Sequence, residues 1–388
     1  MTVETILAKL VAFPVLGGES NMSIIHWIKE YIESHNIATT LVPNKEGNKA
    51  SLHCRIGPAV DGGVILSGHT DVVPVKGQEW DTNPFELIDK GDGKLYARGS
   101  CDMKGFVACC LAALPNMVKA DLKKPLYFAF SYDEEVGCLA APELAQHIKT
   151  FYTETPKYAI IGEPSLMEPI VGQKGIYILE TYVNGSAGHS SRIKQEVSAI
   201  HEAMRLILWL ENRMNQLIDD GRIDERFHPP HSSIHIGLVN GGIAPNVIAD
   251  KAHFYWDLRT IPMDDPFTIV EEFETYCRQR EQELHKIFPG FKIFTKENHP
   301  SVVHLDTKET DDVVGLVKRI SGKTKLNTVA YAAEAGQFAA EGFQSAICGP
   351  GSIEQAHRAN EFIDKEELVK GMNMMENLIT EMSSNEFQ

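Results

Sequence analysis

The sequence predicts an α/β protein: a mostly parallel-sheet domain interrupted by an inserted, ferredoxin-like α+β domain. Three observations predict it. The chain has 388 residues, too many for one ordinary core. Up to residue 161, short apolar runs alternate with helix-length patterns, the order that builds a parallel sheet layer. From Gly175 the order changes to strand, helix, strand, strand, helix, which is that of a split βαβ unit.

The elements follow in chain order. Within residues 22–36, Ile24, Ile25, Ile28, Tyr31 and Ile32 recur at helical spacing. VIL at 64–66, LYFAF at 126–130 and YAII at 158–161 read as buried strands, with helices expected over about 103–118 and 139–150. Ile176–Val183 alternates as a strand. Val197–Leu217 is a long amphipathic helix with Leu206, Ile207 and Leu210 on its face. Ser233–Val239 and Lys251–Arg259 read as strands able to pair through NGGIAPN. Phe267–Phe288 is a second long helix, with a short strand at Phe291–Phe294. Thr310–Ser321 and Glu366–Met382 are helical again, with a buried strand at Ala346–Cys348 between them. The expected division is 1–173 with 288–388 for the outer domain and 174–287 for the insert.

Composition narrows the function classes. The hydrophobic share is 43% and the charged share 23%, a globular profile. The formal charge of −16 repels phosphate backbones, so no nucleic-acid partner is expected. The start, MTVETILAKLVAF, lacks the basic and apolar regions of a signal peptide, and no apolar run is long enough for a bilayer. Seven cysteines without CxxC spacing point to a reducing, cytoplasmic setting in which they serve as small apolar residues.

Reactive side chains fall where the buried runs end. VIL leads to His69 and Asp71, LYFAF to Asp133, Glu134 and Glu135, YAII to Glu163, and SAIC to GPGSIEQAH with His357. In open α/β sheets, ligands bind beyond the carboxyl ends of strands, so these four ends can converge on one crevice. Asp102, in ARGSCDMKGF, is a fifth candidate. Singly, each has a plain reading: Asp102 as a helix N-cap, His69 and Asp71 as a turn, Glu134 and Glu135 as charges at the start of the next helix, GEP as a turn. Together, so many carboxylates at one sheet edge repel strongly unless cations neutralise them. Nitrogen and oxygen donors without thiolate suit zinc, cobalt or manganese. Five strong candidates suggest two ions sharing a carboxylate, a hydrolytic device. Competing signatures are absent. There is no HExxH, since HEAMR at 201 lacks its second histidine, and there is no GxSxG or GxGxxG. SGKT at 321–324 lacks the P-loop glycine, Val317 standing in its place, and His228 and His231 in HPPH read as loop residues.

GHTDVVP, ARGSCDMKGF, SYDEEVG, IIGEPS, GSAGHSS, APNVIAD, DLRTIP and GPGSIEQAHRANEF stand in an order and spacing that resemble the metal-dependent aminoacylase and carboxypeptidase G-type metallopeptidase family, over nearly the whole chain. The resemblance implies a zinc-hydrolase catalytic domain with an inserted dimerisation (lid) domain. It implies one Zn2+ on His69, Asp102 and Glu163 and a second on Asp102, Glu135 and His357, with Co2+ or Mn2+ able to substitute. Asp71 would accept the hydrogen bond of the His69 ring and fix its tautomer. Glu134 would be the general base. His189 would help stabilise the oxyanion, reaching the site of the other subunit of a homodimer, and Asn246 and Arg259 match positions that grip a substrate carboxylate. GPGSIEQAH and Glu334 resemble the deacetylase branch, so the expected reaction is removal of the acetyl group from N2-acetyl-L-ornithine. The same chemistry on succinyl-diaminopimelate, acetylcitrulline or a dipeptide is the alternative. Glu334 is a candidate partner for the side-chain ammonium, against the plain reading of a structural carboxylate. Two departures from the family pattern, Ser131 in place of threonine and Cys101 before Asp102, remove no ligand.

Overall fold

The computed structural model describes residues 1–385. The chain divides into two compact units. One comprises Met1–Gly172, Leu305–Thr328 and the chain from Ala333 onward; the other comprises Gln173–His304 and Val329–Ala332.

The first unit is built on a nine-stranded sheet. Its spine is four parallel strands in the order Leu126–Ser131, Val64–His69, Tyr158–Pro164, Gln344–Gly349. The first three are buried at every residue, which is why they read as unbroken apolar runs instead of alternating ones. Antiparallel strands flank the spine, Ala50–Ile56 and Thr39–Pro43 on one side and Ile170–Gln173 on the other, with Leu305–Asp306 beyond it. Helix Lys104–Lys119 shares one core with Val3–Val11 and Lys365–Ser383, through Phe106, Leu111 and Leu114 together with Ile6, Leu10, Met375 and Leu378. Each such side chain fully buried contributes roughly 1.5–3 kcal/mol. Thr2 starts the first helix by accepting the backbone N–H of Thr5. Gly162 permits the close approach of Lys104–Lys119 to the sheet, because a Cβ there would stand 1.9 Å from the Phe106 ring.

Ala50–Ile56 was hidden in the sequence because His53 and Arg55 interrupt its apolar run. His53 is nonetheless fully buried. Its Nδ1 lies 2.8 Å from the Tyr152 hydroxyl and its Nε2 2.9 Å from His147 Nδ1. The small three-stranded sheet of Phe362–Asp364, Lys94–Tyr96 and Ile88–Asp89 is likewise too short to announce itself.

The second unit carries a four-stranded antiparallel sheet in the order Ser233–Gly241, Lys251–Thr260, Gly175–Asn184, Lys292–Glu297. Helices Ala199–Asp219 and Pro266–Leu284 pack on the face bearing Leu179, Val183, Phe254, Trp256 and Leu258. Ser198 caps the first helix. Asp265 caps the second, with Pro266 at its first position. The chain order of these strands and helices is ferredoxin-like. This unit runs on to His304, beyond the boundary expected at 287/288, because Lys292–Glu297 pairs with Gly175–Asn184 and completes its sheet. That strand is mostly half-buried or exposed, so its apolar signal is weak.

All seven cysteines are buried and free. Among the described residues, no helix is long and apolar enough to cross a membrane.

Candidate metal centre

The parallel spine delivers its donors from successive strand ends. His69 is the last residue of Val64–His69, paired with Ser131 at the end of the neighbouring strand. Three residues past Ser131 the chain presents Glu134 and then Glu135. Glu163 lies within the end of Tyr158–Pro164, and His357 follows Gln344–Gly349. Asp102 comes from the loop ahead of helix Lys104–Lys119.

The structure brings these six side chains together. His69 Nε2 lies 3.2 Å from Asp102 Oδ1 and 3.9 Å from Glu163 Oε1. His357 Nε2 lies 3.0 Å from Glu135 Oε2 and 3.6 Å from Asp102 Oδ2. Asp102 thus turns one oxygen to each histidine, the disposition a shared carboxylate needs. Donor atoms of His69, Asp102 and Glu135 fall within 4.8 Å of one another, and so do those of His69, Glu134 and Glu163. The plain readings of single residues do not hold. The N-cap of Lys104–Lys119 is Met103, and the helix after Glu135 starts only at Ala141 with Ala140 as its cap.

The electrostatics show why a cation fits. Burial pushes Glu134 and Glu163 well above the ordinary carboxylate range, and the charge of Asp102 pushes both further. Burial also raises Glu135 and Asp71. Burial alone would lower His69, but its hydrogen bond to Asp102 and the charges of Glu134, Glu163 and Asp71 raise it well above its usual value. Burial would raise Asp102, yet the two histidines hold it below its usual value. Glu163 Oε1 is buried without a hydrogen-bond partner. An acidic cluster with an unpartnered buried oxygen, imidazole nitrogen and no thiolate donor is what a pair of divalent cations of the zinc type would satisfy.

Asp71 acts differently from the expectation. The His69 Nδ1 partner is the Asp71 backbone carbonyl at 2.9 Å, and the Asp71 carboxylate is 3.7 Å away. That carboxylate instead accepts the backbone N–H groups of Glu134 at 3.3 Å and Glu135 at 3.2 Å. One residue therefore orients the imidazole with its main chain and the two glutamates with its side chain. Asp133, in the left-handed region at φ 57°, is held by Lys49 Nζ at 2.5 Å and by the Gly18 N–H at 2.8 Å.

Arg98 in ARGSCDMKGF and Glu361 in GPGSIEQAHRANEF are two further residues of the site motifs, beyond the expected set. Both are 1% exposed, and they form an ion pair of 2.8 Å. Buried opposite charges inside two site motifs were the available signal.

Glu334 is 1% exposed. Its Oε2 lies 3.4 Å from Ser67 Oγ, its Oε1 is without a partner, and burial pushes it up to about 7. The other candidates belong to the second unit. His189 pairs with Val247 across a two-residue ladder, and Ser190 N–H donates to the Asn246 carbonyl at 3.1 Å, so His189 and Asn246 are neighbours. The His189 ring is exposed, with Nδ1 2.8 Å from Ser191 Oγ. Arg259, at the end of its strand, donates from Nε to Asp257 Oδ2 at 2.9 Å and from Nη1 to the Ala330 carbonyl at 3.2 Å.

Fold and donor set together define a metal-dependent hydrolase. The model of peptidase family M20/M25/M40 matches residues 65–381, and the chain belongs to that family. A curated acetylornithine deacetylase from Myxococcus xanthus is 32% identical, over 94% of this chain and 93% of its own. Among solved structures, an M20 family metallo-carboxypeptidase from Sulfolobus solfataricus superposes with a TM-score of 0.77 at 18% identity, covering 99% of this chain and 100% of that one. A Bacillus subtilis protein described as a dinuclear metal binding peptidase of the M20 family superposes at 0.64 with 16% identity, covering 97% of each chain. At these identities the structures speak for the fold alone.

Proposed function

We propose that this protein removes the acetyl group from N2-acetyl-L-ornithine, releasing L-ornithine and acetate, as in arginine biosynthesis. One observation carries the reading. Two histidines and four carboxylates that could hold metal ions and move a proton meet at the strand ends of a chain whose relatives at about 30% identity over most of its length are named acetylornithine deacetylases.

His69, Asp102 and Glu163 would hold one cation, and Asp102, Glu135 and His357 the other. Zinc is the proposed ion, with cobalt or manganese as substitutes. When bound, such ions supply positive charge that polarises the amide carbonyl and acidifies water. Glu134 takes the proton of the attacking water. As the carbon–nitrogen bond breaks, it delivers that proton to the leaving amine, so acetate and a free amino group result. Its place beside Glu135, with donor atoms gathered with those of His69 and Glu163, supports this role.

The substrate is gripped elsewhere. Asn246 and Arg259 would hold the α-carboxylate, Arg259 with its planar fork. His189, exposed and beside Asn246, would donate to the developing oxyanion in the partner of a homodimer, with the ferredoxin-like unit as dimerisation and lid domain. The unpartnered Oε1 of Glu334 supports an acceptor for the ornithine ammonium.

The test is an activity panel with the purified, zinc-loaded protein on N2-acetylornithine, acetylcitrulline, succinyl-diaminopimelate and dipeptides. Preferred turnover of N2-acetylornithine is expected. Intact acetylornithine alongside hydrolysis of another acyl amino acid would move the assignment to that substrate.

A further inference from the structure

His357 is the least supported donor in the cluster. Its side chain is 59% exposed and its backbone sits in the left-handed region at φ 64°, sparsely populated by residues other than glycine. Packing does not hold it there, so hydrogen bonds must. The His357 carbonyl accepts Gln78 Nε2 at 2.8 Å. Gln78 Oε1 accepts Arg98 Nη2 at 2.5 Å, and Arg98 Nη1 donates to the Arg358 carbonyl at 3.2 Å and to Glu361 Oε2 at 2.8 Å. Glu361 then reaches the other side of the site. Its Oε2 accepts Gly99 N–H at 2.9 Å, and its Oε1 accepts Cys101 N–H at 2.8 Å and Asp102 N–H at 3.1 Å.

We infer that Gln78, Arg98 and Glu361 form a clamp that sets the spacing of Asp102 and His357, and thereby the affinity of the cation held by Asp102, Glu135 and His357. This rests on the two-cation reading above. All three are positioning residues acting through backbone groups. Glu361 saturates the loop that presents Asp102, with four donors on one buried carboxylate. Arg98 carries that order across to the segment after residue 356, and Gln78 passes it to His357. The other proposed cation shares Asp102 and so feels Glu361, but neither Gln78 nor His357 takes part in holding it. His69 is fixed by the Asp71 carbonyl and its strand, and Glu163 lies within a strand. Residues that orient ligands without touching the metal commonly change metal affinity about 10–100-fold when removed.

Full-length protein, stripped of metal, is titrated with Co2+ and followed by visible absorption and calorimetry. Wild type should take two equivalents. Gln78 is only partly buried, so Gln78→Ala should stay folded and keep its first equivalent within about twofold of wild type, while the second weakens about tenfold or more. Glu361→Gln, which keeps the shape but not the charge, loosens the shared Asp102 and should weaken both equivalents, the second more than the first. If both equivalents bind either variant as they bind wild type, or weaken alike in Gln78→Ala, the clamp is overturned and the two-cation reading stands. If wild type itself takes fewer than two, that reading fails first and the clamp with it.

Discussion

Glu134 and Glu135 are adjacent in sequence and differ in surroundings. Glu135 Oε2 meets His357, while Glu134 Oε1 accepts the Cys138 thiol at 3.3 Å and its donor atoms gather with His69 and Glu163. Glu134→Ala should therefore retain the metal content of wild type, read by elemental analysis, and lose about a thousandfold in turnover. A parallel loss of metal would make Glu134 a ligand instead of a base. Glu334→Gln should cut hydrolysis of N-acetylornithine more than that of neutral acyl amino acids, measured as kcat/KM on both; an equal loss leaves Glu334 a structural acid. The residue types of the cluster were legible because all the donors but Asp102 lie at or beyond the end of a buried run in the chain. What Asp71 does was not, since the choice between its carbonyl and its carboxylate depends on where His69, Glu134 and Glu135 stand in three dimensions, which residue order does not describe. Nor was the work of Glu361, whose partners, from Arg98 to Asp102, lie some 260 positions away.

At the level of elements, the parallel strands announced themselves because burial on both faces leaves little room for polar residues. Ala50–Ile56 shows the opposite. A histidine sits in its buried face, made tolerable by Tyr152 and by His147 on the helix Ala141–Phe151. Burial lowers His53 to about 3, helped by the charge of His147. The unfolded chain takes up a proton on this histidine near its ordinary value of about 6.5, and the folded chain does so only near 3. Stability from this site is thus full above about pH 6.5 and declines as the pH falls toward 3, by at most about 1.4 kcal/mol per pH unit. Urea titrations at pH 7 and pH 5 should show wild type losing up to about 2 kcal/mol more than His53→Gln. Equal losses would mean that His53 is already protonated in the fold.

For the molecule as a whole, the charge cluster ties stability to cations. Removing them leaves Glu134, Glu135, Glu163 and Asp102 facing one another, with only His69 and His357 to compensate. A chelator should abolish hydrolysis and lower the melting temperature, and zinc should restore both. At free ion a hundredfold above its dissociation constant, each site adds about 2.7 kcal/mol. A melting temperature indifferent to chelator would argue against a cation cluster. Gln344–Gly349 lies beside Tyr158–Pro164 in the middle of the sheet, although the whole ferredoxin-like unit is translated between them. A ribosome that has just finished residue 304 therefore holds a polypeptide whose Tyr158–Pro164 strand still bares an apolar flank. Until the last fifth of the message is read, that flank is a target for chaperones and a seed for misassembly, and premature stop codons in this stretch should yield insoluble fragments.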